Sequence, residues 1–476
     1  MKGYDLIVVG GGAGGLTVAA GAASFGARVA LVERKPSLGG DCLHNGCIPT
    51  KALMEDAKKI FEINKNAKKF GIQVSGQFDL SIAMKRVKAV INRIQESDSD
   101  SRFIDMGVDL YKGNGRFVTE HQIMIGSDIR IEGKRFVLAT GTSPIVPDIP
   151  GVEHTSFFTN ETIFEMEETP ERLVVIGGGP TNLELGQSFA RFGSKVTVME
   201  QGATILQQED RDISFALKNK LEQEISFCMG ARVTEIAEVN KLKKVTYEQD
   251  GEVKETFAEE VLVGVGRKAN SQDMGLEQIG VQVDKLGNIV VNDYLQTSKS
   301  HIFAIGDVNG QCRFTNTAGM EGKLVVQNAV FGLRQKIRYD NIPWAFYTDP
   351  EIFHIGLTKQ EAVNKYGNSI RSYCVRASEV DRFITNDDTY GFIKILTNKK
   401  GMIIGAHAIG RNASDWMQEL VFAKTKNHKL RDISTVLHPY PTRTEILQQA
   451  ADLYWRRKLF NGTWTKWTKK FIRLLR

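Results

Sequence analysis

The feature that most constrains the fold is a unit of strand, glycine-rich turn, helix, strand and acid that occurs twice. In the first copy the apolar run Leu6–Val9 leads into a G-x-G-x-x-G turn, an alanine-rich helical stretch and a second apolar strand. Every matched position is displaced by 167 residues in the second copy, and the pairs are Gly10 and Gly177, Gly12 and Gly179, Gly26 and Gly193, and Glu33 and Glu200. One such turn is a weak signal, whereas two complete units in one register predict a duplicated α/β domain.

The order of residues in each copy of this unit indicates a dinucleotide-binding site. The first glycine permits a tight turn, the second lets the backbone approach a pyrophosphate, and the helix N-terminus offers N–H groups to the phosphates. The acid that ends the second strand accepts hydrogen bonds from a ribose. Glycines that served only to pack helices on a sheet would leave the two acids unexplained. We therefore expect two Rossmann-like domains and two bound dinucleotides.

The overall composition is that of a globular protein of about three domains. The chain has 476 residues, 25% of them charged and 42% hydrophobic, and ~150 residues per domain is typical. The five cysteines are an odd and sparse set, which favours a reducing compartment over a disulfide scaffold. Leu6–Val9 is too short for the core of a signal peptide, and no uninterrupted apolar run approaches the ~20 residues of a membrane-spanning helix. These features predict a cytoplasmic protein.

Two of the cysteines, Cys42 and Cys47, lie five positions apart in the segment Gly-Gly-Asp-Cys-Leu-His-Asn-Gly-Cys-Ile-Pro-Thr-Lys, which ends at Lys51. Pro49 predicts that a helix begins near Cys47. A thiol at a helix N-terminus, with a lysine one turn further on, should have a lowered pKa and ionise readily. The gap is too long for a C-x-x-C pair, and no second pair completes a zinc site. We therefore expect redox chemistry and no metal ligands, rather than structural zinc or inert buried thiols.

In this segment the chain resembles the class I pyridine nucleotide–disulfide oxidoreductases, which include dihydrolipoyl dehydrogenase, glutathione reductase and mercuric reductase. The motif G-G-x-C-x-x-x-G-C-x-P-[ST]-K is highly specific, and the likeness spans about residues 3–455. It implies FAD at the first dinucleotide site and a redox-active disulfide between Cys42 and Cys47. Cys42 would attack or release substrate, and Cys47 would form a charge-transfer thiolate against the flavin. Lys51 would lie near flavin N5 and pair with Glu184.

Other stretches match landmarks of the family in order along the chain. Thr140 and Gly141 follow a strand that enters a turn at the flavin, and Arg267 matches a motif beside the nicotinamide cofactor. Asp307 matches the acid that binds the ribityl chain of FAD. The candidate cofactor-binding residues are Gly10, Gly12, Gly15, Glu33, Gly40, Lys51, Gly115, Thr140, Gly141, Asp307, Thr315, Gly177, Gly179, Pro180, Thr181, Glu200, Val233, Gly264, Gly266 and Arg267.

The resemblance also implies an order of domains and a homodimer. Residues 1–149 and 272–342 are expected to form the two parts of the FAD-binding domain, with an NAD(H)-binding domain at 150–271 between them. Residues 343–455 are expected to form an α+β dimerisation domain, followed by a basic amphipathic tail at 456–476. A homodimer is expected because the family's C-terminal motif reaches the flavin of the other subunit.

The second dinucleotide unit departs from the repeat where Asn182 replaces the third glycine. The asparagine adds a side chain where helix and strand pack closely, so the helix position or the cofactor affinity should differ from those of the first unit. Glu200 would repel the 2′-phosphate of NADPH, and Gln201 supplies no positive charge beside it. We therefore expect NADH to be preferred over NADPH.

The C-terminal motif differs from that of the best-known members. Dihydrolipoyl dehydrogenase and glutathione reductase use a histidine base followed by a glutamate, whereas the aligned residues here are Tyr440 and Glu445. Tyrosine has a pKa of about 10 and is a poor base at neutral pH, and a dithiol substrate needs a base. His438 lies two residues away, behind a proline that fixes the backbone. Efficient turnover of lipoamide is therefore not expected.

Mercuric reductases resemble the chain better at this point, because they carry a tyrosine in a P-Y-x-T-x-x-E segment. They also end in a vicinal cysteine pair, whereas no cysteine follows Cys374 here, and we expect no metal-binding domain before the first dinucleotide unit. We expect electrons to pass from NADH through FAD to the disulfide and on to a small-molecule or metal-ion acceptor, as in a metal-ion reductase. The candidate catalytic residues are Cys42, Cys47, Lys51, Glu184, Tyr440 and Glu445.

Three other activities are compatible with this pattern. They are dihydrolipoyl dehydrogenase, a membrane-associated NADH:quinone or disulfide reductase, and a non-catalytic redox sensor. Among the remaining cysteines, Cys228 and Cys374 are predicted to be small core residues, and Cys312 to play no part in the chemistry although it lies close to Asp307 in sequence. His354 alternates like a residue of an interface strand and is not a catalytic candidate.

The net charge is concentrated in the C-terminal tail. Residues 456–476 hold eight Lys or Arg and no acid, so that the tail carries +8, the remaining 455 residues −2 and the whole chain +6. A nearly neutral body gives no reason to expect nucleic acid as a partner. Helical spacing places on one face Trp464, Trp467, Phe471, Leu474 and Leu475. This pattern predicts peripheral contact with the inner face of a membrane. A helix docked on its own dimer, or a frayed terminus, would account for the same residue pattern.

Overall fold

A computed structural model describes the protein at residues 2–76, 78–460 and 470–475. The chain divides into two compact units, each built around its own hydrophobic core. The first unit comprises residues 1–201 and 225–339, and the second unit comprises residues 202–224 and 340–476.

The first copy of the repeat lies in a five-stranded sheet in which every neighbouring pair is parallel. The strands, in spatial order, are Ile302–Ala304, Phe136–Leu138, Leu6–Val9, Val29–Glu33 and Val108–Lys112. Leu6–Val9 and Val29–Glu33 are buried along their whole length, as continuous apolar runs in a parallel sheet should be. The helix Ala13–Ser24 forms the crossover between them, because parallel strands cannot be joined by a tight turn.

The second copy forms a separate four-stranded parallel sheet of the same design. Its strands, in spatial order, are Ser226–Met229, Lys195–Glu200, Arg172–Ile176 and Glu260–Val263. The helix Pro180–Arg191 makes the crossover from Arg172–Ile176 to Lys195–Glu200. The duplicated α/β architecture predicted from the two glycine turns is thereby confirmed.

The rest of the first unit consists of smaller sheets and helices. A four-stranded sheet contains, in spatial order, Lys2–Tyr4, Ile129–Gly133, Gln122–Ile125 and Gly115–Thr119. A three-stranded sheet contains Arg232–Val239, Leu242–Gln249 and Glu252–Ala258, and a two-stranded sheet contains Arg267–Ala269 and Thr142–Pro144. The further helices are Gly40–His44, Cys47–Phe70, Leu80–Gln95, Asp100–Asp105 and Thr315–Val330, with short 3₁₀ turns at Glu96–Asp98, Val152–His154, Ile163–Glu165 and Gly306–Asn309.

The second unit is a five-stranded antiparallel sheet with helices, which is the α+β architecture expected for the C-terminal part of the chain. The strands, in spatial order, are Pro343–Phe346, Glu351–Gly356, Ile403–Gly410, Phe392–Thr397 and Arg371–Arg376. The helices are Arg211–Leu221, Lys359–Tyr366, Asp381–Thr385, Ala413–Trp416, Gln418–Thr425, Leu430–Ile433 and Glu445–Phe460, with 3₁₀ turns at Gly367–Ser369 and Ala377–Glu379.

The cysteines outside the motif have different environments. Cys228 is half-buried and packs against a core cluster of the first unit, close to the predicted role. The prediction of a core position for Cys374 is wrong, because side chains alternate along Arg371–Arg376. Tyr373 and Val375 face the core, and Cys374 between them is exposed.

Two glycines of the repeat are required by close backbone contacts. Gly10 has a φ of 110°, and a Cβ there would lie 2.2 Å from the carbonyl oxygen of Ala139. Gly177 has a φ of 104°, and a Cβ there would lie 2.5 Å from the carbonyl oxygen of Gly264. In each copy the turn therefore passes directly over the neighbouring strand end, which only glycine allows.

Asn182, the residue that breaks the repeat, has a structural role of its own. Its buried side-chain amide donates to the carbonyl oxygens of Ile176, Gly177 and Gly264, at 3.0, 2.9 and 3.2 Å. The asparagine thus satisfies backbone acceptors at the ends of two neighbouring strands. The added side chain is accommodated because it hydrogen-bonds to the turn.

The C-terminal tail is described only in part. Its first residues continue the helix Glu445–Phe460, whereas Trp464 and Trp467 lie outside the described residues. Phe471, Leu474 and Leu475 are exposed. Within the described part of the chain, no helix is both long enough and apolar enough to cross a membrane. Peripheral membrane contact stays a prediction.

Candidate redox-active site

The two cysteines of the motif lie on two successive helices of the first unit. Cys42 is in the short helix Gly40–His44, and Cys47 is the first residue of the helix Cys47–Phe70. Pro49 is the third residue of the longer helix, where its missing N–H leaves no helical hydrogen bond unmade. The predicted helix start at Cys47 is confirmed.

The two thiols are free and hydrogen-bonded to each other, and they share their protons unequally. The hydrogen bond from Cys42 is the main reason that the pKa of Cys47 falls to about 6, and a contact of 3.4 Å with the Thr315 hydroxyl and the charge of Lys51 lower it further. The pKa of Cys42 is raised, first by the same hydrogen bond and then by burial. At neutral pH the reduced pair is therefore a Cys47 thiolate that accepts a hydrogen bond from a Cys42 thiol.

Lys51 connects this thiol pair to the second dinucleotide unit. Its ammonium group lies 2.8 Å from a carboxylate oxygen of Glu184, which is only 2% exposed. The pair joins the helix Cys47–Phe70 to the crossover helix Pro180–Arg191. The geometry brings together the two residues that the resemblance paired, 133 positions apart in the chain.

Arg267 makes a second set of long-range contacts beside the cysteines. It donates to the Asp41 carboxylate at 2.8 Å and to the hydroxyl and carbonyl oxygens of Thr142 at 2.8 and 2.9 Å. The Thr142 hydroxyl in turn donates to Asp307 at 2.9 Å, whose pKa is raised by burial. Arg267 thereby connects the helix that carries Cys42 to Thr142 and, through the Thr142 hydroxyl, to Asp307.

Asp41 and Thr142 were not among the sequence-predicted site residues. An acid directly before Cys42 is a local signal that could have drawn attention to Asp41. Thr142 gave no such signal, because its role depends on contacts with residues 125 and 165 positions away.

The first dinucleotide unit has the geometry that a bound pyrophosphate needs. No side chain among the described residues caps the helix Ala13–Ser24, so its N-terminal N–H groups are available. Glu33 accepts a hydrogen bond from the Gly11 N–H at 2.6 Å. A Cβ at Gly40 would lie 2.7 Å from the Cα of Gly12, so the backbone alone lines this turn. These residues fit the adenosine diphosphate part of FAD.

The second copy of the repeat has the same arrangement, including the hydrogen bond of its acid. Glu200 accepts from the Gly178 N–H at 2.7 Å, the counterpart of the contact between Glu33 and Gly11. The helix Pro180–Arg191 also has no side-chain cap within residues 2–76 and 78–460, and Pro180 and Thr181 open it. The same chemistry therefore suits a second dinucleotide.

The other candidate cofactor residues lie at strand ends and turns of the first unit. The Thr140 hydroxyl donates to the Asn270 carbonyl at 2.7 Å, and Gly141 has a φ of 67°. Thr315 is the first residue of the helix Thr315–Val330 and contacts Cys47. Gly15 packs against the carbonyl of Gly10. Gly115 begins the strand Gly115–Thr119, and Val233 lies in the strand Arg232–Val239. Gly264 and Gly266 lie between the strands Glu260–Val263 and Arg267–Ala269.

The C-terminal candidates lie in the second unit. The exposed Tyr440 donates a hydrogen bond of 2.5 Å to Asp381, which raises the pKa of the tyrosine. His438 contacts Glu419 at 2.7 Å through Nε2. Glu445 accepts from Gln449 through one oxygen, and the other is buried with no hydrogen-bond partner in the part of the chain that the structure describes.

Comparison with known proteins gives matches along almost the whole chain. A family model described as pyridine nucleotide-disulphide oxidoreductase matches residues 4–322, and a model described as the dimerisation domain of these enzymes matches residues 342–451. Mercuric reductase of Bacillus cereus is 33% identical over 450 residues, covering 94% of this chain and 71% of the relative. Dihydrolipoyl dehydrogenase of Bacillus subtilis is 31% identical over 468 residues, covering 94% of this chain and 97% of the relative.

A solved structure shows the same likeness in three dimensions. The Cu(II) complex of the HOCl-induced flavoprotein disulfide reductase RclA from Escherichia coli aligns with a TM-score of 0.85 and 25% identity, covering 95% of this chain and 100% of that one. The predicted enzyme class is confirmed: the protein is an FAD-dependent disulfide oxidoreductase that uses a pyridine nucleotide and carries a dimerisation domain. The chain belongs to the pyridine nucleotide–disulphide oxidoreductase family.

Proposed function

We propose that the enzyme uses NADH to reduce a thiol-binding metal ion, Hg(II) or Cu(II), at the Cys42–Cys47 pair. Bound FAD would supply the two-electron relay between the nicotinamide and the disulfide. The two electrons of one NADH reduce one Hg(II) to Hg(0) or two Cu(II) to Cu(I), with NAD⁺ and a proton as the other products. The observation that carries the proposal is the hydrogen bond that Tyr440 donates to Asp381.

This hydrogen bond argues against an acceptor that needs a base. The Tyr440 hydroxyl uses its proton to bond a carboxylate, and the bond raises its pKa, so the residue stays protonated at neutral pH. Reduction of a disulfide substrate by exchange must protonate and deprotonate thiols in turn. A tyrosine hydroxyl that donates its proton to a carboxylate is a poor base for these proton transfers.

A metal ion needs no such base, because the thiol pair is already half ionised. Cys47, with its pKa near 6, offers a thiolate at neutral pH. The ion then needs to displace only the proton of Cys42 to bind both sulfurs. We assign the binding and release of the ion to Cys42, the flavin-side thiolate to Cys47, and its electrostatic support to the Lys51–Glu184 pair.

The named relatives support the same class of acceptor. The chain is 33% identical to a mercuric reductase, and the solved structure of RclA that aligns along its length is a Cu(II) complex. We also propose that Tyr440 and Glu445 of the partner subunit shape the acceptor pocket, and that the domains end at residues 149, 271, 342 and 455.

The charge-transfer band of the reduced enzyme tests the thiol assignment. Anaerobic NADH should produce a long-wavelength band from the Cys47 thiolate against the flavin. Because the pKa of Cys47 is lowered, the band should persist at neutral pH and fall by half near pH 6 as the thiolate is protonated. Cys47→Ser should abolish the band, and Cys42→Ala should move its midpoint to higher pH by removing the hydrogen bond. The exposed Cys374 provides the control, since Cys374→Ser should change nothing; a band that survives Cys47→Ser contradicts the assignment.

A steady-state acceptor screen tests the reaction itself. With NADH as donor, Hg(II) or Cu(II) should be reduced at least about tenfold faster than lipoamide, glutathione disulfide or quinones. Tyr440→His should raise lipoamide turnover by about 10²-fold or more, the usual contribution of a positioned base, and should raise it far more than it changes the metal-ion rate. Tyr440→Phe is the matched control, because it also breaks the bond to Asp381 but supplies no base. Faster turnover of lipoamide than of either metal ion by the wild type would refute the proposal.

The preference for NADH rests on the acid of the second dinucleotide unit. Glu200 lies at the glycine turn, where its charge would repel a 2′-phosphate, and Gln201 beside it is exposed and uncharged. We expect kcat/KM for NADH to exceed that for NADPH by about tenfold or more, which corresponds to 1.4 kcal/mol. Glu200→Ser with Gln201→Arg should reverse the ratio, because it removes the repulsion and adds a phosphate-binding guanidinium. Equal use of both nucleotides by the wild type would overturn this preference.

A further inference from the structure

The second unit contains a buried cluster of three potential metal ligands that the redox chemistry does not use. Glu209, His354 and His407 are 6%, 1% and 0% exposed, and one ligand atom from each lies within 4.8 Å of the others. His354 and His407 face each other across the neighbouring strands Glu351–Gly356 and Ile403–Gly410. Glu209 comes from the segment 202–224, which is distant in sequence but belongs to the same unit.

The hydrogen bonds of His407 fix which of its nitrogens is the ligand atom. Nε2 lies 3.1 Å from the carbonyl oxygen of Leu357, which can only accept, so Nε2 carries the hydrogen. Nδ1 is then the lone-pair nitrogen. It is buried and has no hydrogen-bond partner among the residues that the structure describes. A buried acceptor without a donor is costly and calls for an explanation.

His354 presents the same pattern, except that its Nδ1 faces a carboxylate oxygen instead of having no hydrogen-bond partner. Its Nε2 lies 2.8 Å from the carbonyl oxygen of Gly356, so this nitrogen also carries a hydrogen. Its Nδ1 lies 2.8 Å from a carboxylate oxygen of Glu209. The contact needs a species shared by the two atoms, either a proton or a metal ion. A proton leaves the Nδ1 of His407 unsatisfied, whereas a metal ion satisfies all three groups.

The surroundings of the cluster are those of a metal site. Metal-bound histidines generally donate their other ring N–H to a backbone carbonyl or a carboxylate, and both histidines here point Nε2 at a backbone carbonyl. The second oxygen of Glu209 accepts from the Trp344 indole N–H at 2.5 Å, which orients the carboxylate. The Trp344 ring also stacks on His354 with 3.7 Å between centroids.

We propose that Glu209, His354 and His407 bind one Zn²⁺ or a similar divalent transition-metal ion through a carboxylate oxygen and two Nδ1 atoms. Two imidazoles and a carboxylate are a donor set that zinc favours. The ion ties the segment 202–224 to the antiparallel sheet and so stabilises the second unit. This site is independent of the acceptor site at Cys42 and Cys47.

Zinc binding to the full-length, FAD-loaded protein tests the site. Cys42→Ser and Cys47→Ser are introduced first, so that the dithiol supplies no ligand. After treatment with a chelator and dialysis, added Zn²⁺ should bind at one ion per chain and raise Tm. X-ray absorption at the zinc edge should report nitrogen and oxygen neighbours at about 2.0–2.2 Å, with two imidazoles and no sulfur.

Variants separate the proposed site from adventitious binding. His407→Gln should lower zinc affinity at least about tenfold, and Glu209→Gln serves the same purpose if His407→Gln does not retain FAD. His301→Gln is the matched control, because His301 stacks on His121 as another histidine pair, in the first unit, and should leave zinc binding unchanged. Absence of bound zinc, sulfur ligands in the spectrum, or equal affinity in His407→Gln and His301→Gln would each overturn the proposal.

Discussion

The ion pair between Lys51 and Glu184 is the contact on which the redox site depends. One partner lies a single turn after Cys47, and the other is buried in the crossover helix of the second dinucleotide unit. The pair therefore couples the helix that begins at Cys47 to the crossover helix of the second copy of the repeat. It also places a positive charge close enough to Cys47 to lower the pKa of its thiol, which Glu184 partly opposes.

Much of the fold follows from local rules that the sequence displays. The glycine turns at Gly10 and Gly177, the apolar strands and the terminal acids are short-range features, and they gave two parallel sheets with matching hydrogen bonds at Glu33 and Glu200. The helix start at Cys47 followed from Pro49 in the same way. The face on which a strand residue lies was harder to predict. Cys374 was expected in the core, but it lies between the core-facing Tyr373 and Val375 and is therefore exposed.

Contacts between distant segments could not be derived from these rules. Arg267 and Asp41 are 226 positions apart, and Glu209 and His354 are 145 apart. Such pairs form only when whole elements are placed in three dimensions, and neither residue of a pair carries a local pattern that names its partner. The same holds for Tyr440, whose protonation state follows from Asp381, 59 positions earlier in the chain.

We propose that a Cys47 thiolate and a Cys42 thiol, which differ in ionisation at neutral pH, together bind the metal ion. Proton release on binding measures this most directly. The NADH-reduced enzyme is mixed anaerobically at pH 7.5 with Cd²⁺, which binds thiols without being reduced, and the signal of the Cys42→Ser, Cys47→Ser protein is subtracted. Because Cys47 is already ionised and Cys42 is not, about one proton per chain should be released. Release of two protons, or of none, would contradict the account.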